Sequence, residues 1–124
     1  MLRLRRAQMD GMSAAVRRAF ERRMAGKLME SFPAECASMD SAALASVIRE
    51  GIDRAAQHRI DRESDVALYL HLVIALGPAF DSELGWAKDI LRDPELPEGA
   101  RRMQRLYREA VARTSPPGDG EHGR

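Results

Sequence analysis

The stretch Asp65-Val66-Ala67-Leu68-Tyr69-Leu70-His71-Leu72-Val73-Ile74-Ala75-Leu76-Gly77-Pro78-Ala79-Phe80 decides the fold. From Val66 to Leu76 only His71 is polar. A helix that is apolar on nearly all sides belongs inside a protein core or a membrane. Eleven residues at about 1.5 Å each reach ~16 Å, about half of a bilayer's hydrocarbon thickness. The segment at residues 65–76 therefore reads as the central helix of a soluble bundle. A buried strand competes, because Val, Ile and Tyr favour strands. Length and the Gly77-Pro78 stop decide for the helix.

The flanking segments supply helices to cover it. From about Ala7 to Phe32, Met9, Met12, Val16, Phe20, Met24, Leu28 and Phe32 recur every three or four residues, with Arg17, Arg18, Glu21, Arg22 and Lys27 opposite. Pro33 stops this helix, and residues 34–40 read as a loop. Asp40 or Ser41 can cap a second helix with the stripe Leu44, Val47, Ile48, Gly51, Ile52 and Ala55. Gly51 on that stripe predicts a close helix crossing. Gln57-His58-Arg59-Ile60 turns the chain, with Asp61 as the expected cap of the central helix. Asp81-Ser82 is expected to cap a short helix through Leu91, docked by Trp86, Ile90 and Leu91. A last helix follows, with Pro97 in its first turn and Met103, Leu106, Tyr107, Ala110 and Val111 inward. The expected fold is all-α: one bundle of about five helices over 1–113, and a disordered tail over 114–124, rich in Pro and Gly.

Charge is uneven along the chain. Residues 1–32 sum to +5, residues 33–97 to −6, and residues 98–113 to +3. Basic ends around an acidic middle could clamp a nucleic acid or an acidic partner. Complementary faces within one bundle are the preferred explanation, since the charges sit on solvent faces in mixed sign. The aromatic among the arginines of the first helix, Phe20, belongs to its apolar stripe rather than to the basic face that would stack bases. Nucleic-acid binding is therefore the lesser reading. A helix–turn–helix reader is ruled out because its second helix would be the apolar one.

Candidate chemistry is sparse. Cys36 is the single cysteine, so no intrachain disulfide can form, a reducing compartment fits, and no basic partner adjoins it. It reads as a packed thiol. His71 has Ala67, Leu68, Ile74 and Ala75 at helical neighbour positions, so no His-x-x-x-His metal pair exists there. It reads as a hydrogen-bonded histidine at the bundle margin. Glu63 and Asp65 lie two apart, on different sides of a helix, and serve its positive end. The expectation is a protein without catalytic residues, metal or cofactor. The start, Met1-Leu2-Arg3-Leu4-Arg5-Arg6, has no apolar run behind it, so no secretory signal is read and cytoplasmic location is expected.

The middle of the chain carries a resemblance. Its residues are Ile48, Gly51, Ile52, Arg54 and Ala55, then Ile60, Glu63, Asp65 and Val66, then Tyr69-Leu70. They continue with Gly77-Pro78, Phe80-Asp81, Trp86-Ala87, Ile90-Leu91 and Asp93. Over roughly residues 5–95 this resembles small, all-helical bacterial proteins encoded beside type VI secretion spike-tip (PAAR-type) and effector genes. Those proteins usually have an aromatic-Gly-Ile turn where this chain has His58-Arg59-Ile60, and a longer connection before Trp86. The resemblance carries no catalytic residue. It implies a non-enzymatic accessory protein, an adaptor or chaperone, binding a secreted effector or spike component. An immunity-type protein neutralising a toxin is the alternative. An exposed loop beside a large aromatic is a common recognition point, so Phe80, Asp81, Glu83 and Trp86 are the candidate partner-binding residues.

Overall fold

The computed structural model describes residues 14–114. The segments 1–13 and 115–124, including the expected N-terminal arm, the first turns of the first helix and most of the tail, lie outside the described residues. Among the described residues there are seven helices and no strand. They are α1 (Ala14–Ser31), α2 (Pro33–Ala37), α3 (Ser41–Gln57), α4 (Glu63–Leu76), α5 (Phe80–Glu83), α6 (Gly85–Leu91) and α7 (Gly99–Thr114). The chain is all-α, and no described helix is long and apolar enough to cross a membrane.

Helix α4 is the axis, packed by α1, α3, α5 and α7. Val66, Tyr69, Leu70, Leu72 and Val73 are buried on it, as the unbroken apolar run requires. Gly77 ends it at φ 110 and ψ 152, a conformation nearly confined to glycine. Its amide donates to the Val73 carbonyl at 2.9 Å. The N-cap is Arg62 rather than Asp61, and Asp61 is buried one residue earlier. The chain first enters helical geometry one residue later than expected, and the Arg62 side chain makes no cap hydrogen bond.

Helix α3 matches its stripe closely: Leu44, Ile48, Gly51, Ile52 and Ala55 are buried. Asp40 caps it, accepting from the Ala43 amide at 2.7 Å. At its far end Ile60 N–H reaches Ala55 O and Arg59 N–H reaches Ala56 O, both at 2.9 Å. This pairing closes a helix end around a left-handed residue. That residue is Arg59, at φ 66. The glycine reading for Gly51 also holds, since a Cβ there would meet Leu70 Cδ2 at 2.5 Å.

Helix α1 runs antiparallel to α3, a register visible in its ion pairs. Arg17 reaches Asp53 at 3.6 Å, and Arg49 reaches Glu21 at 3.8 Å. Phe20, Met24 and Leu28 are its buried face. Four expectations need correction. Residues 33–37 form a short helix rather than a loop, because Pro33 breaks α1 but fits the first turn of the next helix. The Asp81–Leu91 helix is two helices, with Asp81 inside α5 and Leu84 capping α6. Pro97 precedes α7, which begins at Gly99. On α7 the buried residues are Gly99, Met103, Leu106 and Ala110, while Tyr107 and Val111 are exposed.

Candidate functional site

Two features stand out beyond the core, one closed and one open. The closed one is centred on Asp81, whose side chain is 5% exposed. Its Oδ1 accepts from Arg54 Nη1 at 2.6 Å, and its Oδ2 pairs with His58 Nε2 at 2.9 Å and accepts from Tyr69 OH at 3.1 Å. Arg54 and His58 come from the end of α3, Tyr69 from the middle of α4 and Asp81 from α5. One carboxylate thus joins three consecutive elements. Burial raises the Asp81 carboxyl pKa, but the hydrogen bonds from His58, Arg54 and Tyr69 and the Arg54 charge outweigh it, so the net shift is downward. Burial, then the Asp81 charge, pushes the Tyr69 phenol well above its ordinary value, which keeps it a donor. All three donors point at one carboxylate, so the cluster acts as a clamp. Among the described residues every buried side-chain polar atom has a partner.

This geometry places the candidate residues from Phe80 to Trp86, which lie in α5 and the start of α6 rather than in the expected loop. Phe80 is buried and packs on the Tyr69 ring at 5.0 Å. Asp81 is the clamp itself. Glu83 is exposed, and Trp86 is half-buried against the core with the Arg113 guanidinium 5.0 Å over its ring. Of the four, Glu83 and part of Trp86 are therefore what solvent reaches. His71 Nδ1–H donates to the Ala67 carbonyl at 2.7 Å, and the ring lies beside Phe32, at the bundle margin as expected. Among the described residues no group of three His, Cys, Asp or Glu is placed to hold a metal ion.

The open feature is a groove of about 340 Å³ along the seam of α1 and α3, closed at one end by α2. Its floor is Ala25, Cys36, Met39, Leu44, Ala45 and Ile48. Its rim carries Arg18, Glu21 and Arg22 from α1 and Asp40 and Ser41 from the start of α3, with Met29 half exposed at 50%. The antiparallel register explains the opening. Ion pairs bridge the two helices where Arg17 and Glu21 face Asp53 and Arg49. One turn further on, Ala25 and Ala45 leave the seam unfilled. Burial raises the Cys36 thiol pKa, with a smaller push from Glu35, so this cysteine sits in the floor as a packed, protonated thiol.

Sequence reasoning missed both features. Asp81 follows Ala79-Phe80 at an expected helix start, so its side chain reads as a cap. Met29 lies off the main apolar stripe of α1, and together with Ala25 it was the available signal for a second, open face. No family model matches the chain, and neither a curated protein nor a solved structure does.

Proposed function

We propose that this chain is a non-enzymatic accessory protein, an adaptor or chaperone, that works by binding another protein. The groove between α1 and α3 carries this reading. It is a solvent-open concavity with an apolar, methionine-bearing floor. Flexible thioethers adapt to a partner's side chains, and protein-binding surfaces use them for that reason. The Asp81 cluster supports the same reading from the other side. Its polar groups are spent on joining α3, α4 and α5, and they stiffen the scaffold that presents the groove.

The resemblance to proteins encoded beside type VI secretion genes makes a secreted effector or spike-tip protein the proposed partner. A toxin neutralised by this chain is the alternative partner of the same kind. Co-expression with the product of each neighbouring gene, followed by size-exclusion chromatography at low and high salt, tests the reading. A complex that survives high salt is expected, because an apolar interface is little screened. Failure to co-elute with any neighbouring product, alongside salt-sensitive retention on nucleic acid, would replace the adaptor with a phosphate-binding module.

A further inference from the structure

We infer that the α1–α3 groove receives an amphipathic helix whose polar flank is acidic. This deepens the adaptor reading above and rests on it. Arg18 to Met29 is twelve residues of α1, about 16 Å of groove wall from first to last Cα, which matches about three turns of a docked helix. Such a helix offers apolar side chains at i, i+3/i+4 and i+7, and the groove offers Met29, Met39, Leu44 and Ile48 to meet them.

The rim decides the sign of the partner's charge. Glu21 is engaged by Arg17 at 3.2 Å and by Arg49 at 3.8 Å. Asp40 is occupied at the start of α3, where its carboxylate accepts from the Ala43 amide. Arg18 and Arg22 are different. They lie one turn apart on the same wall, are exposed, and form no ion pair among the described residues. The two cations left without counter-charges at the groove's edge thus select carboxylates one turn apart on the occupant. Like-charge lysines at those places would be repelled.

The test uses three fluorescein-labelled synthetic peptides of about 14 residues, a length set by the groove wall. All share leucines at helical spacing, flanked by Glu in the first and by Lys in the second, while the third is a scrambled order of the first. Fluorescence anisotropy with the full chain should show the Glu peptide binding at least on the order of tenfold more tightly than either other peptide. Arg18→Glu with Arg22→Glu, both at exposed positions, should invert the preference between Glu and Lys peptides. Ala45→Trp, checked for folding by circular dichroism, should abolish binding of the Glu peptide. Equal affinities for the Glu and Lys peptides, or binding untouched by either variant, would overturn the proposal. Two other occupants would overturn it as well. One is a second copy, seen as a peptide-free dimer that Ala45→Trp dissociates. The other is the chain's own start, seen as Glu-peptide binding that appears only after residues 1–13 are removed. A neighbouring gene product that still co-elutes with the Ala45→Trp protein sinks the groove assignment and leaves the adaptor reading standing. Loss of every co-eluting product from the unaltered chain sinks the adaptor reading itself.

Discussion

Gly99 lies against the backbone of Arg59, with no room for a side chain between them. A Cβ on Gly99 would overlap the Arg59 carbonyl oxygen and come within 2.6 Å of its carbonyl carbon. The start of α7 is thus seated on the left-handed turn that ends α3. Arg102, one turn into α7, fastens the same junction: its Nε donates to Leu96 O at 2.6 Å and its Nη1 to His58 O at 3.2 Å.

Gly99→Ala should therefore be costly even though alanine is the better helix former. The obstructing atoms are backbone, which cannot swing aside as a side-chain tip can. Overpacking of this kind costs about 1–3 kcal/mol, and alanine's helix propensity returns less than ~1 kcal/mol of it. Thermal unfolding followed by circular dichroism should show a midpoint lowered by about 5 °C or more. An unchanged midpoint would mean that α7 does not sit on this turn.

Arg59→Gly is expected to be neutral or stabilising by up to ~1 kcal/mol. Arg59 adopts φ 66, where a Cβ is penalised, and its side chain is exposed. The relief in the folded state is partly offset by glycine's greater freedom in the unfolded chain. Urea unfolding measures the difference. A loss of more than ~1 kcal/mol would show that the Arg59 side chain contributes more than its backbone strain costs.

Gly51 provides the contrast. A Cβ there meets Leu70 Cδ2 at 2.5 Å and Val73 Cγ2 at 3.5 Å, both of them side-chain atoms. Leu70 can rotate, and the substitution adds about 1 kcal/mol of helix propensity in the middle of α3. Gly51→Ala should stay within ~1 kcal/mol of the parent, while Gly51→Leu should cost about 2 kcal/mol or more by forcing α3 from α4. Similar losses for both would mean that Leu70 is locked in place.

The features legible in the sequence are those carried by periodicity and backbone chemistry. The apolar run at 66–76 names the axis, the α3 stripe names its partner, and α3 ends in the turn read at Gln57-His58-Arg59-Ile60. Side-chain destinations across elements were not legible. Asp81 and Arg54 are 27 residues apart, and nothing local says that they meet. Tyr107 and Val111 fit an inward pattern by spacing, yet α7 presents only a narrow stripe to α4 and α6, so both are exposed. The groove depends on which short side chains face each other across α1 and α3. That depends on register, which ion pairs such as Arg17–Asp53 reveal only in three dimensions.

Asp81→Asn tests the clamp through its pH dependence. The amide keeps the shape of the carboxylate but turns an NH2 donor toward a site that already holds three donors, and it leaves Arg54 with only the more distant Glu50 carboxylate, at 4.0 Å. With Arg54 still 28% exposed and partly screened, the expected loss at neutral pH is about 2–3 kcal/mol. In the parent protein the folded-state carboxyl has a pKa below its ordinary value. Its contribution is therefore complete above the unfolded-chain pKa near 4, and is lost as pH falls through the folded value. Denaturant unfolding of both proteins from about pH 5 down to about pH 2 should show a gap that narrows steadily on acidification. Other carboxylates titrate in both proteins, so only the difference between the two curves reports on Asp81. A gap independent of pH would mean that Asp81 stabilises the bundle by shape and packing, and that its charge does not hold α3, α4 and α5 together.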